Sequence, residues 1–498
     1  MNILLIRPYL TRTVPDKSFP VEPLGLLYLA TYARRMAQET GIELNIEILD
    51  AQLSDRSDWL KTDRGYRQGL DDNEIKSYLS RYNADIVGIT NSYTAHLQDV
   101  LELVAMVKTC NPAALIVIGG AHATIDHVAL ASRKDIDMVV RGEGEEIFAD
   151  VLLAKSKGMA FGNIAGITLM DNGTLKINED RPLITDLDTL PIPDRSYIKY
   201  ESYLQNNSTV VPKHKPVGTI FSSRGCPYNC IFCSTSKVWR NIWRGRSPEN
   251  VMREIDYLTT TYGVQEICFE DDQFMGNRKR VIDLCNLIAE NKMVKSVIVP
   301  PGISPRFIDD EILDAFKRAK FYRLMLSVDV GVESSRKYVR KPVDLNKIRD
   351  IVKKCNKKGF WTYASFVVGF PEETEQDVIN TINFAYSLHL DTVVLYLAQP
   401  HLGSELFEIY KREGLIKEDV DSSFTSDQDM FKTFFGTYHV SSKELTALVL
   451  SASNGYQKYH LRHFLNPSYV AKEFVPKIFS LDKVKYFAKL LRWVLNDK

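Results

Sequence analysis

The chain of 498 residues carries 63 Lys plus Arg against 63 Asp plus Glu, with 45% hydrophobic and 25% charged residues. That length exceeds one ordinary core and predicts two or three domains of a soluble globular protein. Zero net charge argues against a nucleic-acid partner, which a basic excess would announce.

The opening Met1-Asn2-Ile3-Leu4-Leu5-Ile6-Arg7 is not organised as a signal peptide, and no run of roughly 20 apolar residues offers a membrane span. Short runs rich in Ile, Val and Leu predict strands over 2–7, 44–49, 85–90, 114–119 and 138–141, with helices over 26–38, 72–82 and 99–109. This alternation implies an α/β, doubly wound, Rossmann-like sheet. Ligands of such sheets sit beyond the carboxyl ends of the strands, here the loops 8–24, 91–96, 119–124 and 142–145. A hairpin is predicted over 164–170 and 174–177, turning at Asp171-Asn172-Gly173. Residues 186–216 hold Pro191, Pro193, Pro212 and Pro216 and read as a linker, which places the first domain at 1–185.

A second alternating block, 217–415, predicts strands over 218–223, 266–270, 296–299, 324–330, 363–368 and 393–398. Between the first two, Ser247 caps a helix, Pro248 opens it, Gly263 ends it, and Val251, Ile255 and Leu258 share one face. Six βα units make an open, partial (β/α) barrel, whose catalytic residues belong at the strands' carboxyl ends. Region 416–498 is expected to be mainly helical. Its last piece, 466–498, has seven Lys/Arg against three Asp/Glu, with Val484, Phe487, Leu491 and Val494 along one side. That pattern fits a helix docked on its own protein better than one lying on a membrane surface.

The chemistry concentrates in Ser223-Arg224-Gly225-Cys226-Pro227-Tyr228-Asn229-Cys230-Ile231-Phe232-Cys233, where three cysteines at C-x3-C-x2-C follow a predicted strand. Thiolates are the ligands of iron–sulfur clusters. Three of them can hold three irons of a four-iron cubane and leave the fourth open to chelate the amino and carboxylate groups of S-adenosylmethionine. A structural zinc site wants a fourth Cys or His at zinc spacing. Neither Cys268, mid-strand, nor His214, ahead of the strand, supplies it. The remaining cysteines, Cys110, Cys268, Cys285 and Cys355, are scattered singly, which predicts a reducing, cytoplasmic setting rather than a disulfide framework.

This segment resembles the signature of the radical S-adenosylmethionine superfamily, and the resemblance extends over about 1–415. It implies that Phe232 meets the adenine and that Glu270-Asp271-Asp272, closing the second strand of the block, meets the cofactor's amino group. Relatives often read Leu-Gly-Ile-Glu-Ser-Gly-Ser at the fourth strand. Ungapped alignment puts Asp329 in place of that Glu, which contacts the ribose region, and Gly331 on its Gly; Glu333 is a rival. Gly369-Phe370-Pro371-Glu372-Glu373-Thr374 is close to the family's Gly-Phe-Pro-Gly-Glu-Thr, which implies Gly369 at the cofactor. Gln399-Pro400-His401-Leu402-Gly403-Ser404 stands where relatives read Thr-Pro-Tyr-Pro-Gly-Thr, leaving His401 as a proton donor or a structural histidine.

The first domain resembles the cobalamin-binding domain found fused to this superfamily. The matching stretches are Glu22-Pro23-Leu24-Gly25-Leu26, Gly119-Gly120-Ala121-His122-Ala123-Thr124 and Arg141-Gly142-Glu143-Gly144-Glu145. Small residues at strand ends let backbone approach a large flat ligand. The resemblance implies Leu24, Gly25, Asn91, Ser92, Gly119, Gly120, His122, Gly142 and Glu143 around the corrin. The chain has no Asp-x-His-x-x-Gly, so no histidine, His122 included, is expected on cobalt.

The resemblance therefore implies a cobalamin-dependent methyltransferase acting at an unactivated carbon or at phosphorus. It would use S-adenosylmethionine as both methyl and radical source and an electron donor such as flavodoxin or ferredoxin. A second reading is a non-methylating radical enzyme with a degenerate first domain, closing a ring as in anaerobic porphyrin-ester cyclases or coupling lipid carbons. A third is a cobalamin carrier or sensor, against which intact Cys226, Cys230 and Cys233 speak. No residue pattern specifies the substrate, a small molecule or a lipid.

Overall fold

The computed structural model describes residues 1–15, 21–54, 59–204, 211–416, 435–463, 467–478, 484–486 and 488. The chain forms two compact units, the main body of the first being Met1–Tyr203 and the second beginning at Leu204.

The strands of the first unit are β1 (Asn2–Arg7), β2 (Leu10–Arg12), β3 (Asn45–Asp50), β4 (Leu60–Thr62), β5 (Gly65–Gln68), β6 (Ile86–Thr90), β7 (Leu115–Gly119), β8 (Met138–Val140), β9 (Ile167–Asp171) and β10 (Thr174–Ile177). Seven of them form one sheet in the order β10-β9-β8-β7-β6-β1-β3. It is parallel from β8 to β3 and antiparallel at β9 and β10. Helices on both faces explain why the central strands are continuously apolar. Leu4, Ile6, Val87 and Ile89 pack into one core, and Ile3, Leu5, Ile86 and Val117 into the other. From β1 the chain steps outward to β3, then returns to β6 on the other side of β1. That reversal between β1 and β6 is the switch point at which such sheets leave a ligand crevice.

The predicted hairpin forms at β9 and β10, with Asn172 (φ 50°) and Gly173 (φ 81°) both left-handed as a type I′ turn requires. A separate antiparallel sheet, β2-β5-β4, was not foreseen, because its short polar strands carry no apolar run. Part of the stretch expected to be a linker is packed. Arg195 is fully buried against Glu22 (Nε–Oε2 3.0 Å), and the Tyr203 hydroxyl donates to Asp50. Polar side chains fasten this segment, and hydrophobic periodicity cannot reveal them.

The second unit holds β11 (Val217–Ile220), β12 (Ser223–Arg224), β13 (Arg244–Gly245), β14 (Glu266–Phe269), β15 (Ser296–Ile298), β16 (Arg323–Asp329), β17 (Trp361–Val368) and β18 (Thr392–Leu397). Two parallel arcs, β11-β14-β15 and β16-β17-β18, are joined by the bridges Val297–Phe321 and Ile303–Leu326. Among the described residues no pairing closes β11 onto β18, so this is the expected partial barrel. The helix Pro248–Tyr262 begins where Ser247 Oγ accepts from Asn250 N (3.1 Å) and ends at Gly263 (φ 66°), both as predicted.

Beyond the barrel, Ser442–His463 is helical. The following segment docks on the amino-terminal end of the barrel. Tyr486 joins Val217, Cys268, Ile298, Tyr322 and Trp361 in one apolar cluster. Lys477 is fully buried and paired with Asp391. Phe487, Leu491 and Val494 lie outside the described residues. Among the described residues no helix is long and apolar enough to cross a membrane.

Candidate active site

The cysteine loop leaves the sheet just after β11 and is pinned at its base. Fully buried Asp271, beyond the end of β14, accepts from Ser222 N (2.6 Å), Ser223 N (3.1 Å) and the Ser222 hydroxyl. Arg280 donates to the Ser222 carbonyl and to the Arg246 carbonyl (2.6 Å). Burial pushes the Asp271 carboxyl up, and the Arg280 charge and these donors oppose the shift. Asp271 is thus committed to holding the loop. Its neighbours stay at the rim: half-buried Glu270 accepts from the Cys268 thiol (3.3 Å), and exposed Asp272 accepts from Gly225 N (3.1 Å).

Gly225 (φ 84°) turns the chain into the loop. Cys226, Cys230 and Cys233 follow, each half-buried and in no disulfide, whereas Cys268, Cys285 and Cys355 are buried in the core. Burial raises the Cys226 and Cys230 thiols, the latter to about 11, and the Lys341 ammonium pulls both back. Among the described residues no three His, Cys, Asp or Glu side chains converge to hold a single metal ion. Three unbridged thiols on one loop are a ligand set that iron–sulfur clusters use.

Lys341 is the partner of Asp329, each 13% exposed. Asp329 Oδ1 also accepts from Ser365 Oγ (2.9 Å). Ser327 pairs with Ser365 and Asp329 with Phe366, so Val328 is an extra residue in β16. Such a bulge re-aims the side chain after it. Asp329 itself is left-handed (φ 61°), a conformation that costs a non-glycine residue on the order of 1 kcal/mol. The rival Glu333 is exposed and paired with Arg336 (2.6 Å). Gly331 packs so tightly on the helix Glu375–Ser387 that a Cβ would lie 2.6 Å from Thr381 Cα.

Phe232 lies 5.9 Å, ring to ring, from Phe370. That aromatic and Gly369 are held by buried Glu373, which accepts from Gly369 N (2.6 Å), Phe370 N (3.1 Å) and the Ser335 hydroxyl. Burial raises the Glu373 carboxyl to about 7. His401 is exposed after β18, its carbonyl accepting from Ser404 N (3.0 Å). Lys341, Glu373 and Ser365 were missed from sequence, because only the fold brings them to the cysteine end.

In the first unit, Asn91 sits just beyond β6, fully buried, with neither side-chain Oδ1 nor Nδ2 hydrogen-bonded. Its carbonyl accepts from His122 N (3.1 Å), and left-handed Gly120 packs so close that a Cβ would lie 2.6 Å from that oxygen. His122 is buried, with Nδ1 3.0 Å from Thr94 Oγ1 and Nε2 without a hydrogen bond. Burial lowers its pKa to about 4, so the ring is neutral near pH 7. Gly142 N donates to Thr124 Oγ1 (2.9 Å), Ser92 and Gly25 are exposed, and Gly119 ends β7. Leu24 is buried at its helix start, and Glu143 turns inward to accept from Ile184 N (2.8 Å). A buried polar atom without a hydrogen bond keeps capacity that a ligand, a water or an ion can take up. The unbonded Asn91 amide, with His122 Nε2 3.8 Å from Asp126 Oδ2, beside bare backbone near the switch point, is compatible with a large polar ring system.

A glycine-lined doubly wound sheet, followed by a partial barrel presenting three cysteines at a strand end, defines a two-domain cofactor enzyme. Residues 18–152 match the family model for the B12 binding domain and residues 220–385 that for the radical SAM superfamily. The chain therefore carries a match to a B12 binding domain followed by a match to a radical S-adenosylmethionine domain.

An uncharacterized methyltransferase from Pyrococcus horikoshii is 28% identical over 477 residues, covering 95% of this chain and 94% of that one. The cytidylyl-2-hydroxyethylphosphonate methyltransferase of Streptomyces wedmorensis is 24% identical, over 83% of this chain and 82% of its own. The anaerobic magnesium-protoporphyrin IX monomethyl ester cyclase of Rubrivivax gelatinosus is 26% identical, over 82% and 70%. Among solved structures, the radical S-adenosylmethionine methyltransferase TsrM of Kitasatospora setae shares the fold, with a TM-score of 0.71 at 17% identity over 91% of this chain and 90% of that one.

Proposed function

We propose that this protein is a cobalamin-dependent radical S-adenosylmethionine methyltransferase acting at an unactivated carbon or at phosphorus of a small-molecule or lipid substrate. The observation that supports the reading is that one chain carries candidate residues for both cofactors. Cys226, Cys230 and Cys233 stand unbridged on a pinned loop, and the switch point of the first unit keeps buried polar atoms without partners. Relatives named methyltransferases match both units, which supports it further.

The three cysteines would hold a four-iron cluster, and Leu24, Gly25, Asn91, Ser92, Gly119, Gly120, His122, Gly142 and Glu143 belong to the region that would hold cobalamin. When bound, these groups supply the electron that cleaves S-adenosylmethionine to a 5′-deoxyadenosyl radical and the carrier for the transferred methyl group. The chain's own residues bind and orient. Glu270 and Asp272 offer carboxylates to the amino group of S-adenosylmethionine, Phe232 and Phe370 an aromatic wall for adenine, and Asp329 an acceptor for ribose hydroxyls. Lys341 holds Asp329 in place, and His401 can move a proton at the rim. Reduction calls for a donor such as flavodoxin or ferredoxin.

The similarity to the porphyrin-ester cyclase supports the second reading, ring closure without methyl transfer. One experiment separates them. Anaerobically reconstituted protein is given cobalamin, methyl-labelled S-adenosylmethionine and a small-molecule extract. A methyltransferase yields S-adenosylhomocysteine together with 5′-deoxyadenosine and puts label into product. Substrate loss with 5′-deoxyadenosine alone would instead establish the cyclase reading.

A further inference from the structure

At the amino-terminal end of the barrel strands, away from the cysteine loop, a cavity of about 200 Å³ is lined by Lys213, Lys295, Lys317 and Lys320 and by the rings of Tyr322 and Trp361. Tyr486, from the docked segment after the barrel, completes the wall. Among the described residues no acidic side chain lines this space. The buried carboxylate behind Tyr322, Glu266, is already occupied: it accepts from Lys213 N (2.8 Å), His214 N (3.0 Å), Ser296 Oγ (2.6 Å) and Tyr322 OH (3.2 Å).

Two of the lysines are fixed by backbone yet keep donor capacity. Lys320 Nζ donates to the carbonyls of Asn291 and Val294, both at 2.7 Å, and Lys295 Nζ to the carbonyl of Lys292 at 2.9 Å. An ammonium has three protons to donate, so at least one remains on Lys320 and two on Lys295. Burial and the neighbouring Lys295 charge together lower the Lys320 pKa. Positive charge gathered in a concave wall focuses an attractive field for anions. A space this small admits no polymer, and a wall carrying four lysines and no acid suits a compact, multiply charged anion better than a single carboxylate.

We propose that this cavity is an anion site for a phosphate-bearing ligand, carried by a soluble small molecule or by a phosphomonoester headgroup. Because Tyr486 lines it, occupancy should hold the segment around Tyr486 on the barrel. The site is independent of the methyltransferase reading.

The test uses the full chain with its cluster reconstituted. Calorimetric titration with sodium tripolyphosphate at constant ionic strength should show saturable binding and a raised Tm. Lys295→Glu should weaken binding at least about tenfold, since it places a carboxylate beside Lys320. The same variant should melt higher than the parent when no anion is present. Lys320→Met should weaken binding as well, whereas Lys279→Glu, on a remote side chain 86% exposed, should not. Co-sedimentation with phosphatidylcholine vesicles, with and without phosphatidic acid, assigns the source. Binding to tripolyphosphate identifies a soluble ligand, and capture by phosphatidic acid vesicles alone identifies a headgroup. The proposal is overturned if neither binds, or if Lys295→Glu and Lys279→Glu weaken binding equally.

Discussion

Removing the Asp271 carboxylate would leave three donors at Ser222 and Ser223 without their acceptor in a fully buried place. Each buried donor left without its acceptor costs about 1–3 kcal/mol. Asp271→Ala should therefore lower Tm and iron content together, and Asp271→Asn should do so less. If Asp271→Ala kept its melting temperature and lost only S-adenosylmethionine affinity, the sequence-based role at the amino group would stand instead. Glu373 carries a pH signature. Its folded pKa of about 7 exceeds the ordinary 4.5, so the native state holds this proton more tightly than the unfolded one. Stability should then fall as pH rises from about 4.5 to about 7 and level off above, by at most about 1.4 kcal/mol per unit. Denaturation of Glu373→Gln and of the parent across that range reads this as a difference in slope; parallel curves would remove Glu373 as the source. The spacing of the three cysteines can be read from sequence because it is local. Asp271 was singled out only for the cofactor's amino group; what it and Lys341 touch cannot be read there, because neighbouring strand ends and a bulge in β16 decide it.

At the scale of elements, the loop from Gly225 to Cys233 and the singly placed cysteines make opposite predictions. Cys226, Cys230 and Cys233 changed together to Ala should abolish cluster absorbance and 5′-deoxyadenosine formation. Changing Cys110, Cys285 and Cys355 should leave both intact, since these thiols lie on helices and two of them in the core. Equal loss in the two sets would show that the ligands were misassigned. Strands and helices with strong apolar patterns were legible almost to the residue, as were the Ser247 cap and the Asn172-Gly173 turn. The β2-β5-β4 sheet was not, because its strands are three or four residues long and mostly polar. Nor was the packing of residues 186–203, which rests on Arg195–Glu22 and Tyr203–Asp50 rather than on apolar spacing.

At the scale of the whole chain, the segment after the barrel behaves as part of the second unit's core. Lys477 is buried against Asp391, and Tyr486 packs edge-to-face on Tyr322 at 5.0 Å between centroids. Tyr486→Ala removes a buried aromatic from that cluster and should cost about 3–5 kcal/mol. Limited proteolysis should then cut between the barrel and Tyr486 faster than in the parent. An unchanged cleavage rate would mean that the docking contributes nothing to stability.

That docking also orders events during synthesis. The hydroxyl of Tyr486 donates to the carbonyl of Val211, a contact spanning 275 positions of sequence. Contacts of such separation form late, because the intervening chain must first be brought together. The first unit is drawn mainly from Met1–Tyr203, so it can fold on the ribosome while the barrel is still being translated. The barrel's floor cannot. Val217, Tyr322 and Trp361 stay uncovered until Tyr486 has emerged. For that interval the nascent chain presents an apolar ring to chaperones, and a ribosome stalled just before Tyr486 would hold the enzyme with its floor open.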